Sequence, residues 1–138
     1  MKLTTFISAG LFILFSAFMI KQDASEDPSL YGVRWSLKKI HSDSTVIPVS
    51  TRAYIRFDKE KKSAGGNGSC NVFGGSLEVK GHEISIKDIF STKMYCDAVQ
   101  STEDVFFMQL KKADRYEIKG KTLYLYKDKK LLLEFEEK

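Results

Sequence analysis

The chain contains few of the residues from which enzymes build metal and nucleophilic sites. Its 138 residues include two cysteines and two histidines, and neither type recurs at the close spacing of a zinc ligand pair. No Gly-Lys-Ser/Thr directly follows the glycine-rich run, and no Gly-x-Ser-x-Gly occurs, which excludes a phosphate loop and a hydrolase elbow. We therefore expect a protein that is not an enzyme and needs no cofactor or metal. Pairing of Cys70 or Cys96 with His41 or His82 remains the catalytic or zinc-binding alternative.

Charge of one sign is not concentrated anywhere in the chain. Lys and Arg number 22 against 18 Asp and Glu, which gives a formal net charge of +4 with both signs interspersed. The lysine-rich segments 59–62 and 127–130 are short, and each contains an acidic residue. We interpret them as exposed turns and expect no nucleic-acid partner.

The N-terminal residues differ from the rest and have the order of an export signal. Lys2 precedes an uncharged, strongly apolar run over residues 3–20, and polar residues follow it. We expect a signal peptide over residues 1–22, with an uncleaved anchor formed by residues 3–20 as the alternative. The polar, acidic segment 23–29 would then be a tether. The protein is accordingly expected in the periplasm or cell envelope, reaching a membrane only through this N-terminal segment.

Residues 30–138 form one predicted domain, in which apolar and polar residues mostly alternate as they do in strands. The exception is residues 100–113, where the apolar spacing is helical and Ser101 with Asp104 resembles a capping box. Short strands with a single helix predict a mainly β fold, a small antiparallel β-barrel with one α-helix packed on it. The alternating segments are 33–37, 53–58, 76–79, 83–86, 116–118, 123–126 and 130–136.

The two cysteines predict one disulfide if the domain is exported. Oxidising compartments favour such pairs, and Cys70 with Cys96 would close a loop that the chain-entropy relation values at about 3.5 kcal/mol. Two free thiols or a metal site remain as alternatives.

Two segments are far more specific than the rest. They are the glycine-rich run 65–76 and the segment 91–96, and each contains one of the cysteines. Together with Trp35-x-Leu37 upstream and Glu103-x-x-Phe106 downstream, they resemble the META domain, also called the HslJ family. The family pattern is matched at Cys70, Asn71, Phe73, Gly75, Thr92, Met94 and Cys96.

This resemblance implies a compact, broadly lipocalin-like β-barrel with one helix, and an exported stress-associated protein, but no particular reaction. Members are linked to the heat-shock response, antibiotic tolerance and, in some cases, secretion or virulence. The chain departs from the pattern at Ser69, where the family has glycine, and at Tyr95, where it has alanine. For Asn71, Phe73, Gly75, Thr92 and Met94 we expect structural roles in the loops around the cysteines.

We therefore expect a non-enzymatic binding or interaction module, monomeric, whose partner is an envelope protein. A barrel that inhibits or docks onto another exported protein and a carrier of a small apolar ligand are the alternatives. Tyr124 and Tyr126 alternate with Leu123 and Leu125. If the leucines point inward, the tyrosines form an exposed patch that is a candidate interface.

Overall fold

The computed structural model describes residues 29–138. The predicted signal peptide or anchor, and the predicted tether up to residue 28, lie outside the described residues. Nine strands and one helix follow in order. They are β1 Trp35–Ser42, β2 Thr45–Pro48, β3 Tyr54–Asp58, β4 Ser63–Asn67, β5 Val72–Lys80, β6 Glu83–Ser91, α1 Gln100–Lys112, β7 Arg115–Lys119, β8 Thr122–Lys127 and β9 Lys130–Glu137.

The nine strands form one antiparallel sheet in the order β2-β1-β3-β4-β5-β6-β7-β8-β9. Strand β9 also pairs with β1, so eight strands close into a ring, and β2 extends β1 as a hairpin. The mainly β fold with one helix is confirmed. The narrowest seam is between β6 and β7, which share one paired position, Glu83 with Arg115, where α1 connects the two strands.

The strand alternation explains which side chains point inward. In β1, Trp35 and Leu37 are buried, and a register shift after Leu37 brings Ile40 inward as well. The predicted hairpins β5–β6, β7–β8 and β8–β9 all form. Gly81 and Gly120 take the positive φ that the first two turns require.

Two strands escape the sequence prediction. Strand β2 lies in a segment without clear alternation, and β4 is the glycine-rich half of a segment that we interpret as a loop. Strand β4 forms because it is paired on both sides, so tertiary pairing outweighs the low strand propensity of glycine. A side chain at Gly66 would collide with the carbonyl oxygen of Tyr54 across the strand pair.

The helix is confirmed, but the predicted capping box is wrong. The N-cap is Val99, which makes no side-chain capping bond, and Ser101 lies inside the first turn. The carbonyl oxygen of Cys96 instead accepts the N–H groups of Val99 and Gln100 at 3.0 and 2.9 Å. The carbonyl oxygen of a disulfide cysteine therefore accepts hydrogen bonds from N–H groups at the start of the helix, as a capping side chain would otherwise do.

The interior of the ring is filled by large side chains. Helix α1 inserts Phe106 and Leu110, both 0% exposed, and Phe106 packs edge-on against Phe73 and Phe135. Other fully covered core residues are Trp35, Ile40, Ile55, Leu123, Leu125 and Leu133. Between residues 29 and 138 the structure contains no helix with the length and apolarity needed to span a membrane.

Candidate functional site

A disulfide joins Cys70, in the turn between β4 and β5, to Cys96, in the segment that leads into α1. The two Cα atoms are 5.9 Å apart. The predicted disulfide is therefore present in the structure, and no cysteine of the described residues is free. It fixes the start of the helix against the start of β5.

The carboxyl group of Glu103 lies at the centre of the turn beside the disulfide. This side chain is 1% exposed. Its Oε2 accepts the backbone N–H groups of Cys70 and Asn71 at 2.9 and 2.7 Å, and its Oε1 accepts Asn71 Nδ2 at 2.6 Å. All three partners are donors, so the carboxyl group acts only as an acceptor. Through these hydrogen bonds Glu103, a residue of α1, holds the turn in place.

The amide of Asn71 connects this turn to the loop before the helix. Its Nδ2 also donates to the Met94 carbonyl oxygen at 2.9 Å. Its Oδ1 accepts the Met94 N–H and the Thr92 hydroxyl, both at 2.8 Å. Every polar atom of this 3%-exposed amide is thus satisfied, which buried polar groups require. The five residues 70, 71, 92, 94 and 103 form one network, which we call the cystine network.

Close packing, not positive φ, explains the glycines of this region. Gly65, Gly66, Gly68, Gly74 and Gly75 all lie outside the positive-φ region, so their backbone conformation does not require glycine. A Cβ at Gly68 would come within 2.7 Å of Glu103 Oε2, so only glycine lets the helix approach the turn this closely. The positive φ of 128° falls on Ser69 instead, where the family has glycine.

The remaining family-motif residues also have packing roles. Phe73 is buried against Phe106 and Phe107, with ring centroids 5.8 and 5.1 Å apart. Gly75 lies at the register shift between β5 and β6, where a Cβ would be 2.7 Å from the Lys87 carbonyl oxygen. Phe73 therefore belongs to the interior of the site, whereas the motif residues Thr92 and Met94 are exposed beside it.

Around this interior, four large apolar side chains are exposed. Val72 is 55% exposed, Phe90 70%, Met94 57% and Tyr95 76%. Gly74 pairs with Phe90, and the Thr92 N–H donates to the Val72 carbonyl at 3.1 Å, so the strand residues are neighbours at the open end of the β5–β6 pair. We call these four residues the apolar rim.

Three of the four arginines of the chain lie in or just before β1 and β3. Arg34 directly precedes β1, Arg52 lies in the bend before β3, and Arg56 lies in β3. The Arg34 guanidinium stacks 3.8 Å above the Tyr54 ring, and Arg56 lies 5.8 Å from the same ring. Arg52 donates to the carbonyl oxygens of Ser69 and Cys70 at 3.1 and 3.3 Å. None of the three has a carboxylate partner within residues 29–138.

The predicted tyrosine patch lies elsewhere, on the outer face of β8. Tyr124 and Tyr126 are half-buried while Leu123 and Leu125 are fully covered, so the alternation is as expected. Arg115 lies 4.2 Å above the Tyr126 ring, and Lys119 is 5.7 Å from that of Tyr124. These cations cover the tyrosines and leave them less accessible than the apolar rim.

Carboxylates on this side of the ring are paired with cations, and the pairing lowers their pKa values. Hydrogen bonds from Arg115 and Lys119 lower the pKa of Glu117 to about 2. A hydrogen bond from Lys127 lowers the pKa of Asp114, and Lys130 does the same for Asp43. This face therefore neutralises its own charges.

The two histidines do not join the cysteines. His41 Nε2 is 2.7 Å from Glu134 Oε1, and His82 lies beside the ring of Tyr116 at 5.9 Å. In the part of the chain that the structure describes, no three His, Cys, Asp or Glu side chains converge on a point suited to a metal.

Sequence reasoning missed the central role of Glu103. The signal was present, because Glu103 shares a helix face with Phe106 and Leu110, at spacings of three and seven residues. A carboxylate on the apolar face of a helix is expected to be buried against donors. Its partners were not predictable, since they lie more than 30 residues away along the chain.

The fold and this site define a small closed β domain whose single helix is tied to the sheet by a disulfide and a buried carboxylate. A sequence model of the META domain matches residues 28–138, and the chain belongs to the META domain family. No curated protein matches the chain.

Two solved structures share the fold at low sequence identity. The NMR structure of a protein from Burkholderia xenovorans has a TM-score of 0.66 at 21% identity, covering 79% of this chain and 83% of that one. The crystal structure of a DUF4847 family protein from Bacteroides vulgatus ATCC 8482 has a TM-score of 0.57 at 14% identity, covering 78% and 93%. Likeness at these identities extends to the fold alone.

Proposed function

We propose that this protein is an exported, non-enzymatic docking module of the cell envelope, which binds another exported protein through the apolar rim. The observation that carries the proposal is the contrast between a filled interior and four exposed apolar side chains at one end of the ring. Large apolar side chains that are exposed near one another are typical of an interface.

Two observations support export. The N-terminal residues have the order of a secretory signal, and the described domain contains a disulfide, which persists in oxidising compartments. The stress association implied by the family resemblance belongs to the same proposal.

The cysteine sulfurs and the carboxyl group of Glu103 are already bonded within the fold, and this supports a non-enzymatic role. Both thiols are consumed in the disulfide, and the oxygens of Glu103 already accept three hydrogen bonds. Neither sulfur is then a nucleophile, and neither carboxyl oxygen is free to accept a proton from a substrate.

The filled interior speaks against the carrier of a small apolar ligand. Apolar ligands occupy enclosed cavities lined by apolar side chains. The 450 Å³ cleft at the β6–β7 seam is instead open and lined largely by charged residues. Those residues include Glu78, Lys80, Glu83, Asp114, Arg115 and Asp128.

Site-specific photo-crosslinking in the cells that make the protein tests the proposal. A benzophenone amino acid placed at Phe90 or at Met94 should give the same discrete adduct, because both positions belong to the apolar rim. The matched control is Val46 in β2, which is 52% exposed but outside the rim. An adduct of equal yield from position 46, or none from positions 90 and 94, would contradict docking through the rim.

A further inference from the structure

The outer face of β3 to β6 combines cationic and apolar side chains around a glycine floor. The register aligns Arg56, Gly65, Gly74 and Phe90 in one row across four strands. Three inter-strand spacings separate the ends of this row, or about 14 Å. Both middle positions are glycine, and the tip of the Phe90 ring extends over Gly74, so the part of the row without an overlying side chain is at Gly65.

A second row lies beside the first. The register aligns Tyr54 with Asn67 and Asn67 with Val72, so Val72 flanks the floor on the Phe90 side and Tyr54 flanks it on the Arg56 side. The Cζ end of the Phe90 ring lies over Gly74, since a Cβ there would be 2.8 Å from this atom, yet Phe90 remains 70% exposed. The floor is thus bordered by apolar groups on one side and by the Arg34–Tyr54–Arg56 stack on the other.

The arginines are available to carboxylates. A guanidinium offers five N–H donors, and Arg52 uses two of them on the carbonyl oxygens of Ser69 and Cys70. Arg52 and Arg56 are exposed, and neither has a carboxylate partner within residues 29–138. Arginine, tyrosine and methionine are the residue types enriched at protein interfaces, and arginine binds carboxylates through paired hydrogen bonds.

We infer that this surface binds a short, extended peptide segment of an exported protein, in which acidic residues alternate with apolar ones. Side chains of an extended segment point alternately to opposite sides. A segment lying along the glycine floor would direct its carboxylates to Arg34, Arg52 and Arg56 and its apolar side chains to Val72 and Phe90. This inference rests on the proposed docking function and specifies the chemistry of the partner.

Fluorescence anisotropy with a labelled nine-residue peptide tests this partner class. The peptide alternates glutamate with phenylalanine or leucine, and the full-length oxidised protein is titrated into it. One matched peptide has glutamine for glutamate, and another has serine for the apolar residues. We expect each matched peptide to bind about tenfold more weakly, and salt at about 0.5 M to weaken binding of the acidic peptide.

Matched protein variants locate the binding. Phe90→Ser should weaken it about tenfold and Arg56→Gln about threefold. Val46→Ser and Lys129→Gln remove an exposed apolar group and an exposed cation elsewhere, and they should leave binding unchanged. Val72→Ser is the second apolar variant, used if Phe90→Ser alters the circular dichroism spectrum.

Three results would overturn the inference. The first is a glutamine peptide that binds as tightly as the glutamate peptide, and the second is wild-type affinity in both Arg56→Gln and the apolar variant. The third is binding of polyglutamate or phosphatidylglycerol vesicles as tight as that of the alternating peptide, which would make the surface a general anion site. If any of these occurred while position 90 still gave a discrete crosslink, docking would stand and only the partner class would be wrong. Loss of the crosslink as well would remove both proposals.

Discussion

The two sides of this ring treat polar groups in opposite ways. On the face formed by β1, β7, β8 and β9, exposed charges pair with each other, as in Lys38–Glu136 at 3.2 Å and Lys127–Asp114 at 2.7 Å. At the end that carries the disulfide, the satisfied polar groups are buried in the cystine network. The apolar rim is exposed there, and the nearby arginines have no carboxylate partner in the described part.

The difference indicates which surface is left for a partner. On a face whose charges are already paired, a binding partner can only replace one ion pair by another. Such an exchange contributes little free energy at a solvated surface. The end with the disulfide has a cross-linked, hydrogen-bonded interior beneath exposed apolar groups, and the arginines near it have no carboxylate partners within residues 29–138. A rigid support under adaptable contacts reduces the entropy lost on binding.

Replacing Glu103, at the centre of the cystine network, should reduce the stability of the fold more than the other substitutions discussed below. Glu103→Gln places an amide N–H₂ where donors converge, so at least one buried N–H loses its acceptor. We expect the free energy of unfolding to fall by about 3 kcal/mol. Urea unfolding of the oxidised protein measures it.

The neighbouring residue provides the control for that variant. Asp104 is exposed on the same helix, and Asp104→Asn should change the free energy of unfolding by less than about 0.5 kcal/mol. A similar small change for Glu103→Gln would mean that the cystine network does not hold the turn against the helix.

The features that the sequence predicts have local signals, and the features that it misses depend on residues far apart in the chain. The hairpins around Gly81 and Gly120, the helix and the disulfide could be predicted because their signals are local or follow from composition. Strand β4, the closure of β1 on β9 and the donors around Glu103 depend on residues distant in the chain, which no local pattern contains. The ion-paired face was also beyond prediction, since its pairs cross strands whose order the sequence does not give.

Ser69 tests how much strain the turn beside the disulfide stores. Its φ of 128° suits glycine, and its hydroxyl lies 2.7 Å from that of Thr51. Ser69→Ala and Ser69→Gly both remove this hydrogen bond, but only glycine relieves the backbone. We therefore expect Ser69→Gly to be more stable than Ser69→Ala by about 1 kcal/mol, measured as the difference in urea unfolding. Equal stabilities would show a turn without strain.

The smallest effect concerns the ion-paired face. Because the pKa of Glu117 is about 2 in the folded chain against 4.5 ordinarily, its ionised form is favoured by folding. That stability is fully present above pH 4.5 and is lost as the pH falls towards about 2. Glu117→Gln should therefore be less stable than wild type at neutral pH and approach it near pH 2.

Chemical unfolding followed from pH 7 to pH 2 measures this convergence. Added salt should narrow the gap at neutral pH, because exposed pairs are screened. Arg56→Gln removes a guanidinium that has no ion pair within residues 29–138, so it should give a curve parallel to wild type. A pH-dependent gap for Arg56→Gln would show that this arginine also has a carboxylate partner in the folded chain.

The pairing of β1 with β9 has a consequence for biosynthesis. Its register joins Trp35 to Glu137, so the seam that completes the ring connects residues about a hundred positions apart. A growing chain therefore has the early strands long before it has the strand that closes them, and closures over such distances are slow. The edge of β1 stays open until β9 has been synthesised, so the ring can close only after that, and until then the open edge is exposed to aggregation.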